Sequence, residues 1–247
     1  VPAPVIKKLG NKEVNLEEWR KVRKLHDELG DPLKIMPMTS AASSLQEGLN
    51  EAKEQFQSDM KEYGVSRKFW TVPCELTYEE MGIIIGNAFV LAQVPISQAV
   101  SLFTKIRESC SEKDRFPNRK PGILKYESTH LDSCSISQIE AIDAVANYFK
   151  HFHEWPESWD ENEARGVQKN TLIKAKELGL VNQELTDNMM LSLALLGIYD
   201  NDLPKLCHTV GGWRENLAKS LRLDPFVRDS LPPQIEAIDL SVLANIT

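Results

Sequence analysis

The sequence predicts an all-α fold: a multi-helix bundle around a central apolar helix, with one long internal loop and an irregular C-terminal tail. Three observations predict it. Helix-start signatures, a Ser, Thr or Asn followed three residues later by Glu, stand at Asn15/Glu18, Thr77/Glu80 and Ser137/Glu140. Apolar residues after them recur at steps of three and four, the helical period. No stretch shows the strict apolar–polar alternation of a half-buried strand.

The elements follow in order. The first helix starts at Asn15, turns Trp19, Val22, Leu25 and Leu29 to one side, and is closed by Gly30 and Pro32. The second starts near Ser43 or Ser44 and ends at Gly64, with a stripe of Leu45, Leu49, Ala52, Phe56, Met60 and Tyr63. The third, from Thr77 to about Val94, is apolar nearly all round and is therefore the central helix; Pro95 ends or kinks it. A fourth carries Val100, Phe103 and Ile106 and ends near Ser109. Residues 111–136, with Pro117, Pro121 and Gly122, read as a long loop, a length uncommon without a function. The fifth helix runs from the Ser137 cap to about Glu154, followed by a turn at Pro156. Further helices are expected at 163–178 (stopped by Gly179), 187–198 and 204–221, the last open to interruption at Gly211-Gly212. The expected organisation is one helical domain over residues 1–247. Residues 1–36 are expected at its periphery, and the Pro-punctuated tail, 223–247, across its surface.

Composition narrows the function classes. The chain has 247 residues, 42% hydrophobic and 26% charged, an ordinary globular balance that argues against wholesale disorder. Its net charge of -7 lacks the basic excess from which a free-standing nucleic-acid binder draws its affinity. Cys74, Cys110, Cys134 and Cys207 form no Cys-x-x-Cys pair, so reduced thiols in a cytoplasmic protein are the simplest reading. No signal-peptide pattern is legible from Val1 onward. The longest apolar run, residues 81–94, contains Asn87 and Gln93 and is too short to span a bilayer.

The fifth helix carries the chemistry-bearing residues. At about 100° per residue, Ala141, Ile142, Val145, Tyr148, Phe149 and Phe152 fall on a core side. Glu140, Asp143, Asn147, Lys150, His151 and Glu154 fall opposite, with Trp155 at the margin. Side chains four apart touch on a helix, so Asn147 meets His151 and Lys150 meets Glu154. One reading is an ordinary solvated face. The other is a site. Histidine titrates near neutrality, and His151 and His153 sit beside Trp155 and Trp159, large aromatics of the kind that rim a pocket or anchor a partner.

Residues 147–155, Asn-Tyr-Phe-Lys-His-Phe-His-Glu-Trp, with Ala146 before them and Glu177-Leu178-Gly179 after, resemble a motif of uncharacterised bacterial proteins. Its pattern is Ala-Asn-Tyr-aromatic-Lys-His-x-x-Glu-Trp followed by a helix ending in Leu-Gly. More distantly, the chain resembles HEPN domains, helical bundles of bacterial toxin and defence systems, many of them metal-independent ribonucleases. The resemblance implies an Arg, then four to six residues, then a His on a helix. No Arg stands there before His151; Asn147 occupies its face. Arg20 and His26 have the spacing, but His26 falls near its helix's apolar stripe and Arg20 well away from it. We read that pair as coincidence.

No cofactor or metal is expected. Gly211-Gly212 forms no phosphate loop, and His151 and His153 point about 200° apart on a helix, too far to chelate with Glu154. Arg115, Arg119, Lys120 and Lys125 cluster in the long loop with Phe116 and Tyr126, which would stack on bases if RNA bound there. A solvated loop is the alternative.

Two functions remain open. In the first the chain is a non-catalytic interaction or regulatory module that meets a protein partner or a second copy, with Glu154, Trp155 and Trp159 as anchors. Asn147, Lys150 and Glu154 would then tie the fifth helix to the long loop. In the second it is a HEPN-like ribonuclease, with His151 as general acid/base, Lys150 stabilising phosphate charge and Asn147 orienting it.

Overall fold

The structure, a computed structural model, describes residues 6–9, 12–63, 65–66, 69–155, 159, 166–181 and 184–231. Helices dominate them, and no sheet among the described residues exceeds two strands. A short antiparallel hairpin, β1 (Ile6–Leu9) and β2 (Lys12–Asn15), pairs Ile6 with Asn15 and Leu9 with Lys12. It leads into α1 (Leu16–Gly30) and then, through a 3-10 turn at Pro32–Lys34, into α2 (Met36–Tyr63). A second hairpin, β3 (Val65–Ser66) and β4 (Phe69–Trp70), leads to α3 (Val72–Ser109). The side chain of Asn15, expected as a cap, and residue Gly64, expected as a stop, lie outside the described residues. α1 buries Val22 and Leu29 completely and packs on α3.

α3 is one helix where the sequence predicts two. Its N-cap is Thr71, with Pro73 in the first turn where a missing N–H costs nothing. Thr77, read as a cap, lies inside the helix: its hydroxyl is 2.6 Å from the Asp59 carboxylate of α2 and 2.7 Å from the Pro73 carbonyl. Pro95 removes one intrahelical donor. The helix nonetheless continues, because Ala92, Ile96, Ala99 and Phe103 on both sides of it are fully buried. α1, α2 and three later helices described below surround it. Read as one element, α3 is long and apolar enough to cross a membrane. The shorter run seen in the sequence was cut off by Pro95.

The long loop is built on apolar anchors. A 3-10 turn at Lys113–Arg115 and a short helix, α4 (Lys120–Lys125), bring Phe116, Ile123 and Leu124 into the core. Phe103, Phe116 and Tyr126 form a ring cluster with centroids 5.9–6.4 Å apart. Backbone bonds from Leu131 to Ile136 and from Gln138 to Thr129 close its end.

α5 (Gln138–Lys150) begins with the predicted capping box, Glu140 N–H on Ser137 Oγ and Ser137 N–H on Glu140 Oε2. It stops at Lys150, four residues early, and residues 152–154 form a 3-10 turn. Trp155 supplies the reason: its indole N–H bonds the Tyr148 carbonyl at 3.0 Å, satisfying one of the acceptors a helix end leaves open.

Three helices complete the bundle: α6 (Gly166–Glu177), α7 (Leu185–Leu195) and α8 (Pro204–Leu221). Residues 163–165, expected as the start of α6, and Pro156 lie outside the described residues. Gly179, at φ +76°, ends α6 with Leu180 N–H on Ala175 O, a Schellman closure that needs the left-handed residue at this point. α8 runs unbroken through Gly211-Gly212. Its Arg214, 2% exposed, donates to the Pro95 carbonyl of α3 and the Glu28 carbonyl of α1. The tail begins in order: Asp224 caps α9 (Pro225–Ser230) and also accepts from Ser111 Oγ and Glu112 N–H. Residues 232–247, expected across the surface, lie outside the described residues.

Candidate functional site

The first half of the α5 face expected to meet solvent is covered, while Lys150, His151 and Glu154 at its end stay exposed. Glu140 is 1% exposed and receives Lys174 Nζ of α6 at 2.9 Å and Lys125 Nζ of α4 at 3.8 Å. Asp143 is 6% exposed and receives Lys120 Nζ of α4 at 2.9 Å and Gln93 Nε2 of α3 at 2.8 Å. Gln93 accepts in turn from Lys150 Nζ at 2.6 Å. A helical wheel places these groups on one face but cannot see that α4 and α6 close over it. Each buried carboxylate therefore holds an ammonium, the condition under which burying it is tolerable.

The apolar side of α5 seats on glycine. A Cβ on Gly86 would stand 2.2 Å from the Phe149 ring, and one on Gly82 would stand 2.9 Å from the Thr186 backbone of α7. These two glycines, four apart on α3, let α5 and α7 approach closely. Tyr148 is fully buried, and its hydroxyl accepts from Asn188 of α7 at 2.8 Å. Burial pushes its phenol up to about 12.

The two tryptophans are core residues, not partner anchors. Trp155 stacks on Tyr148 with centroids 6.1 Å apart, and Trp159 meets the same ring edge-on at 5.8 Å. They are 9% and 6% exposed. Phe152 meets Tyr148 edge-on as well. Four aromatic rings thus converge where the polar row of α5 ends.

What remains open is a small cleft of about 210 Å³, lined by Asn147, His151, Glu154, Trp155, Gln168 and Thr171. His151 is the C-terminal boundary residue of α5, not a residue on its solvent row. Its Nδ1 lies 3.0 Å from Glu154 Oε2, both side chains near half exposure or beyond. Gln168 reaches the Glu154 carbonyl from α6 at 3.2 Å. The cleft is below the roughly 300–1,000 Å³ usual for small-molecule pockets.

Of the predicted site residues, Asn147, His151, Glu154 and Trp155 come together there. The others do not join them as expected. Lys150 is turned to Gln93, Trp159 is buried on Tyr148, and Lys120 is held by Asp143. Arg115 pairs with Glu112, and exposed Arg119 begins α4. Phe116 is buried in the ring cluster and so presents no face on which a base would stack, while Tyr126 is half-buried there. Glu140 and Asp143, rather than Asn147, Lys150 and Glu154, tie α5 to the loop. His26 is 4% exposed with Nε2 2.9 Å from the Ala218 carbonyl, and burial holds its pKa below 6.5. Arg20 is exposed. Sequence reasoning missed Gln93, Gln168, Thr171 and Lys174, for which no local pattern exists. No group of three or more potential metal-ligating side chains occurs among the described residues.

Comparison with protein-family models, with curated proteins and with solved structures gives no match to this chain.

Proposed function

We propose that the chain is a non-catalytic interaction or regulatory module. The observation that carries this reading is the 2.6 Å bond from Lys150 to Gln93. The ammonium a ribonuclease would need beside His151 is engaged in holding α5 to α3. Trp155 supports the same reading, since its indole N–H caps Tyr148 instead of facing a ligand. A cytoplasmic role in a bacterial toxin or defence system belongs to this proposal and rests on the resemblance of residues 146–155 and of the helical architecture.

One observation favours the alternative, a HEPN-like ribonuclease. Glu154 holds His151 Nδ1 and so leaves Nε2 as the imidazole's other functional nitrogen, the arrangement of an oriented general base.

Purified parent, His151→Ala and Lys150→Ala, compared by urea unfolding and by RNA degradation, separate the two. The proposal expects no cleavage by the parent. It also expects Lys150→Ala to lose about 1–2 kcal/mol through the unpaired Gln93 oxygen. His151→Ala should stay within about 0.5 kcal/mol, as at a surface site. RNA cleavage that falls about 10²-fold or more in His151→Ala overturns it.

A further inference from the structure

Among the described residues, α3 keeps one face open along its length. On one flank Thr77 meets Asp59 of α2; on the other Gly82 and Gly86 meet α7 and α5. Between those flanks Leu76, Ile83 and Val94 stand 62%, 47% and 43% exposed, unusually high for large apolar side chains on the central helix of a bundle. Residues 81–104 contain no charged side chain. Exposed charges bound this stretch on the same face, Glu80 before it and Lys105 after it. At 1.5 Å per residue they are about 37 Å apart.

We propose that this face binds a second copy of the chain, with the two α3 helices antiparallel across a two-fold axis between Ala92 and Gln93. This rests on the interaction-module reading and names its partner. The argument is complementarity. Under that axis Glu80 faces Lys105 of the second copy, and Lys105 faces its Glu80. Asn87 faces Gln98, amide to amide. Leu91 faces Val94 at the centre, apolar to apolar. A contact of this kind is isologous: the same stripe serves both copies. Each Glu80–Lys105 pair occurs twice, and any parallel arrangement sets like charges together. Antiparallel helices crossing at about 20° stay in contact over such a length.

The test is sedimentation equilibrium of the full chain, with circular dichroism confirming the fold of each variant. The parent should sediment at twice the chain mass. Glu80→Lys and Lys105→Glu, each at an exposed position, should each weaken self-association about tenfold by setting like charges opposite twice. An equimolar mixture of these two single variants should recover it, because each then supplies the charge the other lacks. The double variant should recover it too. Val94→Asp, which places two carboxylates near the axis, should give monomer. A parent that stays monomeric overturns the pairing, as does one that floats with phosphatidylcholine vesicles instead of self-associating. So does a dimer indifferent to both single charge changes. None of these results bears on RNA cleavage. Conversely, His151-dependent cleavage by an intact dimer would overturn the module reading and leave the pairing standing.

Discussion

Replacing Gly86 by Ala tests the approach of α3 and α5 that places residues 147–155. In an unconstrained helix interior, Ala in place of Gly stabilises by about 0.5–1 kcal/mol. Here the added Cβ would lie 2.2 Å from Phe149 Cδ2, 2.3 Å from Cε2 and 2.6 Å from Cγ. Carbon atoms in contact sit about 3.5–4.0 Å apart, so the ring must retreat by more than about 1 Å. α5 cannot slide freely to allow this. Gln93 of α3 holds Asp143 and Lys150, and Lys174 holds Glu140 from the far side. Overpacking of this kind costs about 1–3 kcal/mol, and a displaced Phe149 loses burial as well. Set against the propensity gain, the net loss should be about 1–3 kcal/mol. Urea unfolding followed by circular dichroism measures it, and a double-mutant cycle assigns the cause. In a Phe149→Ala background the space is free, and Gly86→Ala should become neutral or stabilise by up to about 1 kcal/mol. If Gly86→Ala stabilises the parent, or acts equally in both backgrounds, the close approach is wrong.

The remaining expectations concern buried charge. Lys174→Ala should cost about 2 kcal/mol, because it removes the 2.9 Å partner of a carboxylate that is 1% exposed while Lys125 remains at 3.8 Å. Removing both lysines should cost about 3–5 kcal/mol, more than the two single losses added, whereas additive single effects in urea titrations would contradict the shared site. Burial lowers the His26 pKa in the folded chain below 6.5, so the unfolded chain binds the extra proton first. That contribution to stability is complete above pH 6.5 and is lost as pH falls toward the folded value. Unfolding free energy should therefore decline as pH falls through about 6.5, and His26→Gln should flatten the slope; an unchanged slope refutes the assignment.

Sequence alone determined the features that are settled within one turn of helix. The Ser137/Glu140 box and the Gly179 stop depend on neighbours three to five residues away, and both form where predicted. The helical period also specifies α8 over its expected range, whereas α2 begins at Met36, ahead of the expected Ser43 or Ser44, and leaves Tyr63 of its stripe half exposed. Tertiary structure decided the rest. Pro95 breaks a helix in isolation, yet α3 passes through it because packing on both sides outweighs one lost hydrogen bond. Glu140 and Asp143 belong to a polar row on a wheel, yet α4 and α6 bury them under lysines that sit 15 to 34 residues away in the chain. Trp155 and Trp159 sit beside histidines in sequence, yet Tyr148 draws them inward. Periodicity records which residues share a side. Which side meets water depends on elements distant in sequence, and their lysines and aromatic rings supply the partners that decide it.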